Sequence, residues 1–183
     1  MSRVYQLKIT LKGSKPPIWR RFTVDSKITL GGLHHVIQDV MGWMGGHLHE
    51  YVSVYGNRYG TVDMDGMDDY CEDVINENKT RLCDVLKQEK QKLLYCYDFG
   101  DDWEHQLILE KKLEVPEKHP APRCLKGKNA CPPEDCGGIY GYYELLTILE
   151  DPTHPQYEEM REWIGRDIDP HEFDMDYINE ILK

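Results

Sequence analysis

A chain of 183 residues with 40% hydrophobic residues can bury a core in one domain and needs no disulfide scaffold. The opening SRVYQLKITLKG alternates and carries charge where a signal peptide needs an unbroken apolar stretch, and no segment approaches a membrane span; we expect a cytoplasmic protein with six reduced cysteines and no membrane contact. The net charge of −11 divides unevenly, with eight Lys/Arg against three Asp/Glu through Val62 and fourteen against thirty from Asp63 onward. A basic face beside an acidic remainder is either an internal electrostatic match or a footprint for a protein or nucleic-acid partner on the N-terminal strands. A pI near 5.1 argues against broad phosphate binding.

Tyr5, Leu7, Ile9 and Leu11 alternate with polar residues, the period of a half-buried strand. Gly13 to Pro17 turns the chain into a second strand, Ile18 to Val24. There either Arg20 sits among apolar neighbours and needs a carboxylate partner, or Trp19 takes the more exposed face. Thr29 caps a helix that reaches Met41 or Trp43, with Leu30, Leu33, His34, Ile37, Val40 and Met41 on one stripe, and Gly42, Gly45 and Gly46 end it. HLHEYVSVY, from His47, is expected as a third strand. Residues 56–80 form an acidic insertion, read as a solvated loop. Its Asp63, Asp65 and Asp69 do not fit a calcium loop, because Asp68 stands where glycine is wanted and Val74 where the bidentate glutamate belongs.

Arg81 to Leu86 suits a short helix before a strand from Leu93 to Asp98, which turns back at Gly100 into another from Trp103 to Leu113. The fold class is therefore α+β: a β-grasp-like mixed sheet with one packed helix, an extra hairpin strand and a C-terminal helical segment. Residues 1–114 form this core and 115–138 a Pro/Cys-rich loop. Helices in 139–183 pack on the core within one compact unit, with stripes at Tyr142 to Leu149, Tyr157 to Ile164 and Met175 to Leu182.

Three polar clusters are candidate sites. On a strand, His47 and His49 leave the same face with Tyr51, a spacing that suits two imidazoles on one metal ion and equally a solvated sheet face. The turn YDFGDDWEH offers Asp98, Asp101 and Asp102, with Trp103 and His105 just beyond. Aspartates beside Gly100 are also ordinary turn chemistry, and a histidine sharing its face with Trp103, Leu107 and Leu109 is also a common core residue. With His47, His49 and His105 as ligands, such a set favours zinc, manganese or iron over calcium. Glu134, Asp135 and Cys136 stand before Gly137 and Gly138 at a loop-to-helix junction, where backbone N–H groups lower a thiol pKa and attract anions. Cys124, Cys131 and Cys136 contain no CxxC pair, so their zinc signal is weak.

IWRRF, the MGW and HLHEY pair, YDFGDDWEH and PPEDCGGIYGY, in this order and followed by WIG and FD before the final helix, resemble the plasmid pRiA open-reading-frame-three-like family over nearly the whole chain. That family occurs in plasmids, insertion elements and many bacterial and archaeal chromosomes, so the resemblance implies a mobile-element association and the fold above. Some relatives carry a resolvase label. The serines here, Ser2, Ser14, Ser26 and Ser53, lie in no arginine-rich catalytic context, and the C-terminal helices are acidic, unlike a DNA-reading helix-turn-helix. The expected function is a binding or adaptor module with a polar cleft formed by Arg20, Asp98, Asp101, Asp102, Trp103, Glu134, Asp135 and Cys136. The alternative is a metal-dependent enzyme, such as a hydrolase, on the His/Asp cluster.

Overall fold

The computed structural model describes residues 2–62, 73–116 and 121–183. Strand β1 (Ser2–Leu11) pairs antiparallel with β2 (Trp19–Asp25), and Tyr5, Leu7, Ile9 and Leu11 are buried as their alternation requires. Phe22 and Val24 join them from β2, and so does Arg20, while Trp19 stands on the opposite face between Lys8 and Arg21. Both alternatives for the second strand are thus realised together. Each fully buried Leu, Ile or Phe of this face contributes roughly 1.5–3 kcal/mol.

Helix α1 (Leu30–Met41) crosses the inner face. The Thr29 hydroxyl accepts from the Gly32 N–H at 3.0 Å, and Gly42 closes the helix in the left-handed region with its N–H on the Gln38 carbonyl. Side chains from the sheet reach its backbone, Tyr51 Oη at the Leu30 carbonyl and Arg20 Nε at the Val40 carbonyl.

The chain continues through β3 (His49–Ser53), β4 (Arg58–Gly60), β5 (Val74–Asn76), a 3-10 turn at Glu77–Lys79 and α2 (Leu82–Val85). It then enters β6 (Lys92–Tyr97), β7 (Trp103–Val115) and β8 (Arg123–Lys128). The eight strands run in the order β5-β4-β3-β6-β7-β1-β2-β8, antiparallel except for β4 and β5. The α+β class with a mixed sheet is as expected. The hairpin strand β7 enters the middle of the sheet, between β6 and β1.

Residues 56–80, expected as a loop, contain β4 and β5, which extend the sheet; Asp63, Asp65, Asp69 and Cys71 lie outside the described residues. The Pro/Cys-rich segment likewise supplies the edge strand β8, whose Cys124 backbone N–H and C=O are both taken by the Asn179 amide. Asn179 lies on α5 (Met175–Ile181), which follows α3 (Gly138–Glu150) and α4 (Tyr157–Ile164). Tyr142, Ile178 and Leu182 bring this C-terminal part into the core of the sheet and α1. Among the described residues no helix is long and apolar enough to cross a membrane.

The basic N-terminal strands face acids on β7. Arg21 makes a bidentate pair with Glu110 at 2.6 and 2.8 Å, Lys12 meets Glu104 at 2.6 Å and Arg3 lies 3.8 Å from Glu114. The charge asymmetry of the sequence is to this extent compensated within the sheet.

Candidate functional site

The turn after β6 is built by aspartate. Asp98 and Asp102 both take the left-handed conformation, at φ 58° and 54°, and Asp98 Oδ1 accepts from the N–H groups of Gly100 at 2.9 Å and Asp101 at 3.4 Å. Asp98 is nearly buried, and its other oxygen points to His47 Nδ1 at 3.6 Å. The opposite nitrogen of that ring, Nε2, lies 3.4 Å from Asp135 Oδ1. One ligand atom from each of His47, Asp98 and Asp135 can therefore be chosen within 4.8 Å of the others.

Three loops meet here in a polar rim, and hydrogen bonds hold them. Glu134 accepts from Tyr97 Oη at 2.5 Å and from the Met44 N–H at 3.2 Å, while Asp101 Oδ2 accepts from the Gly137 N–H at 3.2 Å. The anion at the start of α3 is thus the Asp101 carboxylate, not the Cys136 thiolate. Burial, reinforced by Asp101, pushes the Cys136 thiol up to about 12, opposite to the lowered value expected at a helix start. Burial raises Cys124 and Cys131 as well, and no three-ligand cluster among the described residues contains a cysteine.

The three histidines expected as metal ligands occupy three different surroundings. His47 precedes β3 rather than lying on it, so it does not share a strand face with His49. His49 bonds Glu77 at 2.8 Å and stacks flat on His34, with centroids 3.5 Å apart and planes 5° apart. Glu77 also accepts from Thr61 Oγ1. Burial opposes its charge, but the bond and charge of His49, with the Thr61 bond and His34, together hold the carboxyl below its ordinary value. His105 is wholly buried between Tyr95 and the edge of Trp43, and neither ring nitrogen has a hydrogen bond among the described residues. Burial lowers its pKa to about 3, against a smaller pull from the Trp103 and Tyr95 backbone. It is a core residue, as is Trp103. Asp102 also stands apart from the rim, accepting from Cys96 Sγ at 3.2 Å.

The His34, His49, Glu77, Tyr95 and Gln38 network was not legible as a unit. Gln38 Nε2 donates to Tyr95 Oη at 2.9 Å, which leaves the single phenolic proton for His34 Nδ1 at 2.8 Å. That pattern makes Nδ1 an acceptor on a neutral ring. Burial, with His49 close by, lowers the His34 pKa to about 4.

Beside the rim, a groove of about 720 Å³ separates the end of α1 and the 130–135 loop from the C-terminal helices. Its walls include Met41, Trp43, Met44, Phe173, Tyr177 and Ile181, of which Met44 and Tyr177 are largely exposed. Trp43 is fixed by its Nε1 bond to the Pro132 carbonyl at 3.0 Å. Arg20 reaches the groove from β2 although only 3% exposed. Its expected carboxylate partner is replaced by backbone: Nε donates to Val40, and one terminal nitrogen, Nη1, to the Trp19 and Lys128 carbonyls at 3.0 and 3.1 Å, with Phe173 stacked on the guanidinium. Carbonyls orient the cation without neutralising it, and burial lowers its pKa. Of the residues proposed to share one cleft, Arg20, Glu134 and Asp135 line this groove, and Asp98, Asp101 and Cys136 flank it through the rim.

The family profile described as "Plasmid pRiA4b ORF-3-like protein" matches residues 3–177. The uncharacterised protein y4hQ of Sinorhizobium fredii (strain NBRC 101917 / NGR234) is 34% identical over 166 residues, which is 90% of this chain and 82% of that protein. Among solved structures, a protein of unknown function, MM3350, from Methanosarcina mazei Go1 superposes with a TM-score of 0.83 at 38% identity, covering 96% of this chain and 97% of its own. With the mixed sheet and the assembled motifs, these matches lead to one conclusion: the chain belongs to the plasmid pRiA4b ORF-3-like family.

Proposed function

We propose that the protein is a binding module whose groove takes a short apolar segment of a partner protein that carries one carboxylate. Arg20 carries the reading: a cation 3% exposed, on the groove wall, with no carboxylate partner among the described residues. Terminal nitrogen Nη2 has no hydrogen bond among those residues and is free to receive a carboxylate oxygen. A charge-assisted bond in such a dry setting is among the stronger polar contacts available to a ligand. Trp43, Phe173 and Ile181 offer the apolar contact that Arg20 cannot. Asp39, Glu134, Asp135, Glu172 and Asp174 line the groove against Arg20 and Arg166, and this acidic excess disfavours a uniformly acidic partner, nucleic acid included. The alternative, hydrolysis at a metal ion held by His47, His49, Asp98, Asp101 and His105 together, has less support because the three rings do not meet.

The test is a selection of short displayed peptides on the purified protein, followed by titration of the winners through tryptophan fluorescence. Selected peptides are expected to be apolar with one acidic side chain or a free C-terminus, and amidation of that carboxylate should abolish binding. Met44→Glu and Ile181→Glu, both at exposed positions, should each weaken binding at least about tenfold with unchanged melting. Peptides that bind as tightly to both variants would place recognition elsewhere.

A further inference from the structure

We propose a divalent-cation site formed by His47, Asp98 and Asp135, one residue from each of the three loops that meet beside the groove. The reading stands independently of what the groove binds.

Coordination places ligand atoms about 2.0–2.2 Å from a first-row ion, so neighbouring ligands lie roughly 3.0–3.6 Å apart. The His47 to Asp135 and His47 to Asp98 separations of 3.4 and 3.6 Å are of that size, although the two carboxylates now face opposite nitrogens of the ring. With one nitrogen chosen, all three donors still fall within 4.8 Å, so closing on an ion takes a shift of about 1–2 Å. Asp135 can make that shift because its side chain is 69% exposed.

A second observation is independent of the clustering. Asp98 is 8% exposed, and its Oδ2, aimed at the centre of the triad, accepts no hydrogen bond among the described residues. The other oxygen is fixed by two backbone N–H groups, which orients the free one. That free oxygen therefore keeps its lone pairs turned toward the triad, where a cation can meet them. No Lys or Arg pairs with Asp98, Asp101, Glu134 or Asp135 among the described residues, and the cationic partner that Asp98 and Asp135 have there is His47, when protonated.

One imidazole and two carboxylates select a first-row divalent ion over calcium, with Zn2+ bound more tightly than Mn2+. Three protein donors leave coordination positions for water or for an oxygen of a ligand. A bound ion would tie the 42–48 loop, the 98–102 turn and the 132–137 loop together.

The experiment uses protein purified without a histidine tag and titrated with Zn2+ or Mn2+ alone by calorimetry and thermal melting. One equivalent is expected to bind, raising the melting temperature by about 5 °C at hundredfold excess over Kd. His47→Gln and Asp135→Asn should each weaken binding at least about tenfold while leaving metal-free melting unchanged. Asp135 is exposed enough that its variant will fold whatever becomes of the other. Co2+ loading should give a spectrum without a thiolate charge-transfer band. Absence of binding, binding indifferent to both variants, or a thiolate band that assigns the ion to the cysteines would each overturn the proposal.

Discussion

Replacing Gly138 with alanine is expected to destabilise the protein by about 3 kcal/mol. Two causes add. Gly138 holds φ at +69°, where an L side chain costs roughly 1–2 kcal/mol, and its added Cβ would lie 2.4 Å from the Asp101 carbonyl oxygen. That oxygen belongs to backbone, so the turn after β6 must move away from the start of α3, and overpacking of this kind costs roughly 1–3 kcal/mol. The Asp101 to Gly137 bond would be strained with it. Gly165 provides the control, since it has nearly the same φ, +65°, with nothing within 4 Å of an added Cβ. Gly165→Ala should therefore cost only the backbone share, about 1 kcal/mol. Urea denaturation of both variants checks the difference, and equal losses would mean that the turn and helix are not held in contact. The same close approach presents Asp98 and Asp135 to one imidazole, so Gly138→Ala should also weaken any cation bound there.

What the sequence displayed and what it hid follow from the range of the interactions. The alternation of Tyr5, Leu7, Ile9 and Leu11, the Thr29 cap and the Gly42 stop are local devices, and each is present where its pattern placed it. Strands β4 and β5 have three residues each, too short to display a period, and β8 is an edge strand whose RCLKGK is polar because solvent and Asn179 cover it. The misplacement of His47 has a different cause. HLHEY alternates as a strand does, but β3 pairs with β6 only from His49 opposite Tyr97, and beyond Tyr97 the partner turns away at Asp98. A residue with no partner strand stays in the loop, whatever its pattern. An inward Arg20 was one of two readings the alternation left open, and its actual partners were not legible, because carbonyls from α1 and β8 leave no mark in the sequence around it. The meeting of His47 with Asp98 and Asp135 depends on β6, α1 and α3 at once, and no local pattern carries it.

Lowering the pH from 7 to 5 is expected to remove about 4 kcal/mol of stability, shared between two buried histidines. His34, lowered to about 4, is packed among His49, His35, Tyr95 and Glu77; His105, lowered to about 3, lies under Trp43 and Tyr95. Both rings stay neutral in the folded protein down to those values, whereas in the unfolded chain they take up protons near 6.5. The unfolded state thus binds more protons throughout the window between 6.5 and about 4, and stability falls as pH falls through it, by about 2 kcal/mol per ring at pH 5. The stacked pair strengthens the effect, because a charge on His49 opposes one on His34 only 3.5 Å away. Glu77 acts in a separate window. Its folded pKa is held below the ordinary value, so its contribution is present above about 4.5 and is lost only as pH falls further. Denaturation at a series of pH values tests the histidines together, and His105→Leu tests one of them. Leucine fills a similar volume without a titratable group, so this variant should lose about half of the slope between pH 6.5 and 5. A wild-type profile flat across that interval would contradict the neutral burial of both rings. A variant profile parallel to the wild type would remove His105 from the account and leave the acid sensitivity with the stacked pair.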